Sequence, residues 1–193
     1  MFRQQVNVFP SLVFQGGFSK VALISCAIFS LNTAYAVELV EEDEPPAPTE
    51  TTKECAEGSV WDAEASTCIT VDEVDGDQAF LYQTARELAW VGRLPDALAV
   101  LDRMEESDKR LTYVGFVARK SGDWQRAETA YKAAILRNPD NLLARSYYGQ
   151  GLVERGMHTE ALVQLSEIRA RGGRISWPEL ALRLSIESGT GHY

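Results

Sequence analysis

Histidine, cysteine and basic residues are scarce in this 193-residue chain, which has two histidines and three cysteines. The histidines, His158 and His192, stand far apart, which argues against a histidine-built metal site and against a histidine general base. Lys and Arg number 19 against 28 Asp and Glu, so the formal net charge is −9. A nucleic-acid-binding protein needs a basic footprint, so this balance argues against nucleic acid as the partner.

Long apolar runs are also missing: the 11-residue run 21–31 is shorter than the roughly 20 residues of a spanning helix. Residues 1–20 are basic and free of acids, and Ala34-Tyr-Ala36 follows the run. This order predicts a secretory signal peptide over 1–36, with no stable membrane span left after cleavage. Two alternatives stay open, a buried N-terminal helix and lipidation at Cys26, because Leu23-Ile-Ser-Cys26 is similar to a lipobox.

The negative charge is concentrated in one segment, since residues 37–78 hold 14 acids and one base, Lys53. Within it, residues 37–54 are acidic, rich in proline and poor in large apolar side chains. Such a segment cannot bury enough surface to offset the entropy of ordering, so we expect a disordered, extended linker. It would act as a spacer or, alternatively, as a ligand for a basic groove in the same chain.

Cys55 and Cys68 are the two cysteines left in the predicted mature chain, and an oxidising compartment would join them. Residues 55–71 then form a disulfide-closed hairpin, with strands at 59–62 and 67–71, and residues 72–77 link it onward. Two thiolates without further nearby ligands are too few for a zinc site. The spacing Cys-x-x-Gly-x-x-Trp-Asp-x5-Cys resembles the hairpin of peritrophin-type chitin-binding modules, which implies a sugar contact at Trp61. The alternative is a small stapled hairpin with a self-packed tryptophan.

A repeat organises the rest of the chain, where apolar residues follow helical spacing. Three strings that begin with glycine and end with alanine recur at offsets of 30 and 34 residues: Gly92–Ala97, Gly122–Ala127 and Gly156–Ala161. Seven residues before each glycine stands a small residue: Ala85, Gly115 and Gly149. Small residues at repeated positions would let paired helices approach closely.

These positions resemble the tetratricopeptide repeat, most strongly in 108–141, where Trp124, Tyr131 and Pro139 also fit. The resemblance implies an all-α, right-handed helical solenoid of about three helix pairs, in units 78–107, 108–141 and 142–173. Each pair leaves a face uncovered, so pairs stack and need a cap at the end. Ser176 and Glu179 are typical of a capping box, which predicts a capping helix over 174–188 and a frayed tail over 189–193. From residue 78 onward we expect seven helices.

Motifs for catalysis are absent: the sequence contains no Gly-rich phosphate loop, no His-Glu-x-x-His and no recognisable Ser-His-Asp arrangement. His158 takes the place that Trp124 holds in the preceding unit, which predicts a packed side chain. We therefore expect no enzyme activity, no catalytic residues, no metal and no cofactor.

The repeat resemblance implies that the first helix of each pair lines a concave groove that binds extended peptides. In that register the groove residues are Tyr82, Arg86, Trp90, Thr112, Phe116, Arg119, Lys120, Ser146 and Gln150. The bases among them favour a protein or peptide partner that is acidic, or the chain's own acidic linker. An ordinary solvated face is the alternative for these residues. The predicted function is an exported adaptor, and the alternative is a polysaccharide-associated protein targeted through the hairpin. A loose similarity to small exported repeat proteins of Gram-negative bacteria points to the periplasm, with secretion as the alternative.

Overall fold

The computed structural model describes residues 43–191. The predicted signal peptide, residues 37–42 of the predicted linker and residues 192–193 of the tail lie outside them. The elements in chain order are α1 (Glu50–Lys53), β1 (Ser59–Asp62), β2 (Thr67–Thr70), α2 (Gln78–Trp90), α3 (Leu94–Asp102), α4 (Asp108–Lys120), α5 (Trp124–Arg137), α6 (Leu142–Glu154), α7 (His158–Ala170) and α8 (Trp177–Ser188). Seven helices therefore follow residue 77, as the sequence predicts, and α1 is an additional one.

The hairpin forms as the cysteine spacing predicts, with β1 and β2 antiparallel and Trp61 opposite Cys68. Cys55 and Cys68 are joined by a disulfide. The Asp62 carboxylate accepts hydrogen bonds from the backbone N–H groups of Glu64 and Ala65, at 2.8 and 2.9 Å. This turn chemistry closes the hairpin between the two strands.

Three helix–helix turns share one geometry, which explains the recurring glycine. Gly92, Gly122 and Gly156 have φ of 85°, 84° and 75°, a left-handed conformation that favours glycine. In each turn the N–H that follows the glycine donates to a carbonyl five residues back: Arg93 to Leu88 at 2.8 Å, Asp123 to Ala118 at 2.9 Å and Met157 to Leu152 at 2.9 Å. Each helix thus ends in a Schellman motif, and the second helix begins two residues after the glycine.

The helices pack first within pairs and then between neighbouring pairs. The pairs α2–α3, α4–α5 and α6–α7 pack closely, and α2, α4, α6 and α8 also pack on one another in a row. A Cβ added at Gly115 would lie 2.6 Å from the Tyr131 ring, and one at Gly149 would lie 2.6 Å from Leu182. Gly115 therefore allows the close approach within a helix pair that the sequence predicts, whereas Gly149 allows α8 to approach α6. The right-handed solenoid as such stays a prediction.

The C-terminal helix α8 packs on α6 and α7. The Ser176 hydroxyl accepts from the Glu179 N–H at 3.4 Å, as expected of a capping residue. The Glu179 carboxylate instead binds Arg169 of α7, with Nη2–Oε1 at 2.5 Å. Leu182 is fully buried. This ion pair and the buried leucine attach α8 to the last helix pair.

At the opposite end, the hairpin is attached to the start of α3 rather than projecting as an independent module. Arg93 forms an ion pair with Asp96 at 2.6 Å, and its guanidinium donates to the carbonyls of Ser59, Thr51 and Cys55 at 2.6, 3.3 and 3.4 Å. Val60 of β1 is fully buried within the main core cluster. The hairpin and α1 therefore cap the first helix pair, as α8 caps the last.

The structure also differs from the disordered linker expected over residues 37–54, because residues 49–54 take part in the fold. Thr49 caps α1 by accepting from the Thr51 N–H. The Glu87 carboxylate accepts from the Thr49 N–H at 2.7 Å, and from the hydroxyls of Thr49 and Thr52 at 2.6 and 2.7 Å. Threonine side chains order this part of the chain through hydrogen bonds, without the burial of large apolar groups.

Candidate peptide-binding face

The nine predicted groove residues lie on three helices that pack in a row. Tyr82, Arg86 and Trp90 are on α2, Thr112, Phe116, Arg119 and Lys120 are on α4, and Ser146 and Gln150 are on α6. Their spacing of three or four residues places them on one side of each helix. We call this side of α2, α4 and α6 the first-helix face.

Aromatic rings connect the three helices along this face. Tyr113 lies at its centre, with ring centroids 5.6 Å from Tyr82 and 6.0 Å from Tyr147, both edge-on. Phe116 lies 4.9 Å from Tyr147. Such edge-to-face and tilted contacts are favourable arrangements of aromatic pairs. Sequence reasoning missed Tyr113 and Tyr147, although each stands two residues before a repeat glycine.

The face is less open than the groove that the sequence predicts. Of the nine residues only Lys120 is exposed and Trp90 is half-buried, whereas the other seven are buried. Ring packing and internal hydrogen bonds enclose those seven side chains. For example, the Thr112 hydroxyl donates to the Asp108 carbonyl at 2.7 Å.

Arg86 is the most completely held of the basic residues on the face. It is 2% exposed. Its Nε donates to the Tyr113 hydroxyl at 3.3 Å, and its Nη1 donates to Gln83 Oε1 at 2.7 Å. Its Nη2 donates to the main-chain carbonyl of Glu44 at 2.5 Å. Two partners within the helices thus fix the guanidinium, and the third is the backbone of an N-terminal segment.

Arg119 and Lys120 place a second pair of basic side chains on the face, at the C-terminal end of α4. Arg119 is paired with Glu154 at 2.6 Å, and its guanidinium carbon lies 5.5 Å from the Phe116 ring centroid. Desolvation lowers the pKa of Lys120, the neighbouring charge of Arg119 lowers it further, and Glu154 has the opposite effect. An incoming carboxylate would favour the charged form of Lys120 and would relieve its repulsion from Arg119.

Lys109, which sequence reasoning missed, adds an exposed base at the start of α4. Its Nζ lies 5.4 Å from the centroid of the Tyr82 ring. Lys109 and Lys120 are 11 positions apart in one helix, or about three turns, so both flank the same side of α4. The cation–π contact was not visible in the sequence, because it depends on how α2 and α4 pack.

Gln150 brings an unsatisfied acceptor to the α6 part of the face. Its side chain is fully buried, and its Nε2 donates to the Ser146 hydroxyl at 3.3 Å. Its Oε1 has no hydrogen-bond partner in residues 43–191. A buried amide oxygen without a donor is uncommon in folded proteins.

Trp61 and His158 lie away from this face. Trp61 is half-buried in β1, and its backbone N–H donates to the Thr51 hydroxyl at 3.2 Å. Its suggested contact with sugar stays a prediction. His158 is exposed at the first position of α7, so the expected packed side chain is wrong. His192 lies outside the described residues.

Within residues 43–191, no group of three or more His, Cys, Asp or Glu side chains is arranged to hold a metal ion. Over the same part of the chain, none of the helices combines the length and the apolar character needed to cross a membrane. Comparison with protein-family models, curated proteins and solved structures found no significant match to the chain.

Proposed function

We propose that this protein is an exported interaction scaffold that binds an extended protein segment along the first-helix face. The contact between Arg86 and the Glu44 carbonyl carries the proposal. In it, a buried guanidinium, oriented by Tyr113 and Gln83, already binds the main chain of a Pro-flanked segment. Main-chain recognition of this kind does not depend on the side chains of one particular sequence, and it therefore suits a scaffold.

The helix pairs are proposed to be tetratricopeptide repeats in a right-handed solenoid. The shared Schellman turns at Gly92, Gly122 and Gly156 support this, as do the packed row of first helices and the caps at both ends. Repeat arrays of this type present extended surfaces to their partners.

The partner segment is proposed to be acidic. Lys109 and Lys120 are both exposed on α4, and Lys109 lies beside the ring of Tyr82.

Export is proposed from the cysteines together with the N-terminal sequence. The Cys55–Cys68 disulfide is of the kind that persists in oxidising compartments. With the signal-peptide pattern of residues 1–36 it favours the periplasm, with secretion beyond it as the alternative.

Charge reversal on the face tests the proposed function. We expect tagged full-length protein carrying Lys109→Glu and Lys120→Glu to recover its partner from the native host roughly tenfold less well than wild type, since both changes repel an acidic segment. Partner recovery is measured by quantitative mass spectrometry. The matched control is Arg126→Glu with Lys132→Glu, two exposed bases of α5 with the same change in charge. Equal recovery by the face variant and the control would reject the first-helix face as the binding surface.

A further inference from the structure

The segment that precedes α1 lies against the first-helix face. Residues 43–48, Asp-Glu-Pro-Pro-Ala-Pro, are called the strap. Four of the six are exposed, and Asp43 and Pro46 are half-buried. Segments with little buried surface open at a small cost in free energy, so the strap is among the parts of the fold most easily released.

Both ends of the strap are fixed to neighbouring residues of α2. At one end, Arg86 donates to the Glu44 carbonyl. At the other end, Thr49, which follows the strap, is bound by Glu87 through its N–H and its hydroxyl, at 2.7 and 2.6 Å. The strap therefore runs across the Arg86 end of the first-helix face and occupies it.

Asp43 brings negative charge to the centre of the face. Burial is the main cause that raises the pKa of Tyr113, and the Asp43 carboxylate raises it further, against the effect of Arg86. The acidic start of the strap is therefore close enough to act on the residue that orients Arg86.

The three prolines of the strap suit it to this position. Pro fixes φ, and Pro-rich segments favour an extended conformation with main-chain carbonyls open to donors. An extended segment loses little conformational freedom on binding, which is the reason that Pro-rich peptides are effective ligands.

We propose that the strap is an intramolecular ligand of the first-helix face, and that a partner segment of the same chemistry, extended, Pro-rich and acidic at its start, binds by displacing it. This inference rests on the proposed function. It adds that the strap competes with the partner, and that Arg86 binds a main-chain carbonyl of either the strap or the partner. While the strap is bound, its tether keeps its effective concentration high, so a free peptide binds wild-type protein weakly.

The test uses a fluorescent peptide with the sequence of residues 43–49 and measures its binding to full-length protein by fluorescence anisotropy. Replacing Pro45, Pro46 and Pro48 with glycine in the protein should weaken the strap by increasing its freedom when released. The peptide keeps its prolines, so we expect it to bind this variant roughly tenfold more tightly than wild type. Pro139→Gly, an exposed proline of the α5–α6 turn, is the matched control and should bind the peptide as wild type does.

Equal affinity for wild type and the strap variant, or no binding to either, would overturn the inference. Adding Arg86→Lys to the strap variant should remove the gain, because an ammonium cannot keep the three oriented contacts of the guanidinium. If that protein does not fold, the NMR signal of the Arg86 Nε–Hε group in the strap variant reports whether the peptide binds at Arg86. The signal should shift on addition of peptide, and an unchanged signal would contradict the assignment. Recovery of the partner by the Lys109/Lys120 variant tests the face itself, so the two ideas can fail separately.

Discussion

Arg93→Ala is expected to lower the free energy of unfolding by about 3 kcal/mol. The change removes the ion pair with Asp96. The side chains of Arg93 and Asp96 are only 10% and 12% exposed. It also removes the donors to the carbonyls of Thr51, Cys55 and Ser59. Because these carbonyls belong to α1 and the hairpin, the loss should be largest where the N-terminal cap meets α3.

Denaturant unfolding followed by circular dichroism measures this effect. Arg103→Ala is the matched control, because Arg103 also donates to a carbonyl, that of Asp72 at 2.9 Å, but at an exposed site. The control should change stability by no more than about 0.5 kcal/mol. If the two variants are equally stable, the hairpin is not attached to the helices through Arg93.

Replacing Cys55 and Cys68 together with serine is expected to destabilise the protein by about 3 kcal/mol. The bond closes a loop with a sequence separation of 13 residues, and its loss returns conformational freedom to the unfolded chain. Since Val60 of β1 is fully buried in the main core cluster, the loosened hairpin also weakens the first helix pair.

The same unfolding experiment, with and without a thiol reductant, provides the control. Reductant should lower the stability of the wild type toward that of the double-serine variant and should leave the variant unchanged. A wild type that unfolds at the same denaturant concentration in both conditions, while the bond is shown to be reduced, would contradict a stabilising role for the disulfide.

Much of the helical architecture could be predicted because one physical requirement recurs. A glycine with positive φ is needed at each tight turn, and Gly92, Gly122 and Gly156 mark these turns at regular spacing. Small residues such as Gly115 then identify the helix faces that approach closely. Tight turns and close helix packing both require particular residue types, so both can be predicted from the amino-acid sequence.

The state of the candidate face could not be predicted in the same way. The register of the repeat resemblance assigned Arg86 and Phe116 to the groove, but it could not show that their side chains are buried. Burial there depends on contacts between residues far apart in sequence, such as the ring contact of Phe116 with Tyr147. The same holds for Thr49, whose partner Glu87 lies 38 positions away. Composition predicted a disordered segment there and did not reveal the hydrogen bonds that fix its end.

The strap and the N-terminal cap connect stability with the proposed function. Glu87 holds Thr49 at the end of the strap, while Arg93 holds the carbonyl of Thr51 in α1. Release of the strap therefore does not require the hairpin to detach, since Arg93 and the buried Val60 retain α1 and the hairpin on the first helix pair. In the proposed function, the strap would cover the first-helix face until a partner displaces it, while α1 and the hairpin stay in place.

Zero-length carbodiimide crosslinking of the full chain in its native host most directly tests binding of an acidic segment on the first-helix face. The reagent joins lysines to carboxylates, and residues 37–193 contain four lysines. Lys109 and Lys120 are on the face, whereas Lys53 in α1 and Lys132 in α5 serve as exposed internal controls. We expect mass spectrometry to find partner carboxylates joined to Lys109 and Lys120. Crosslinks to the partner only through Lys53 or Lys132 would contradict binding on this face.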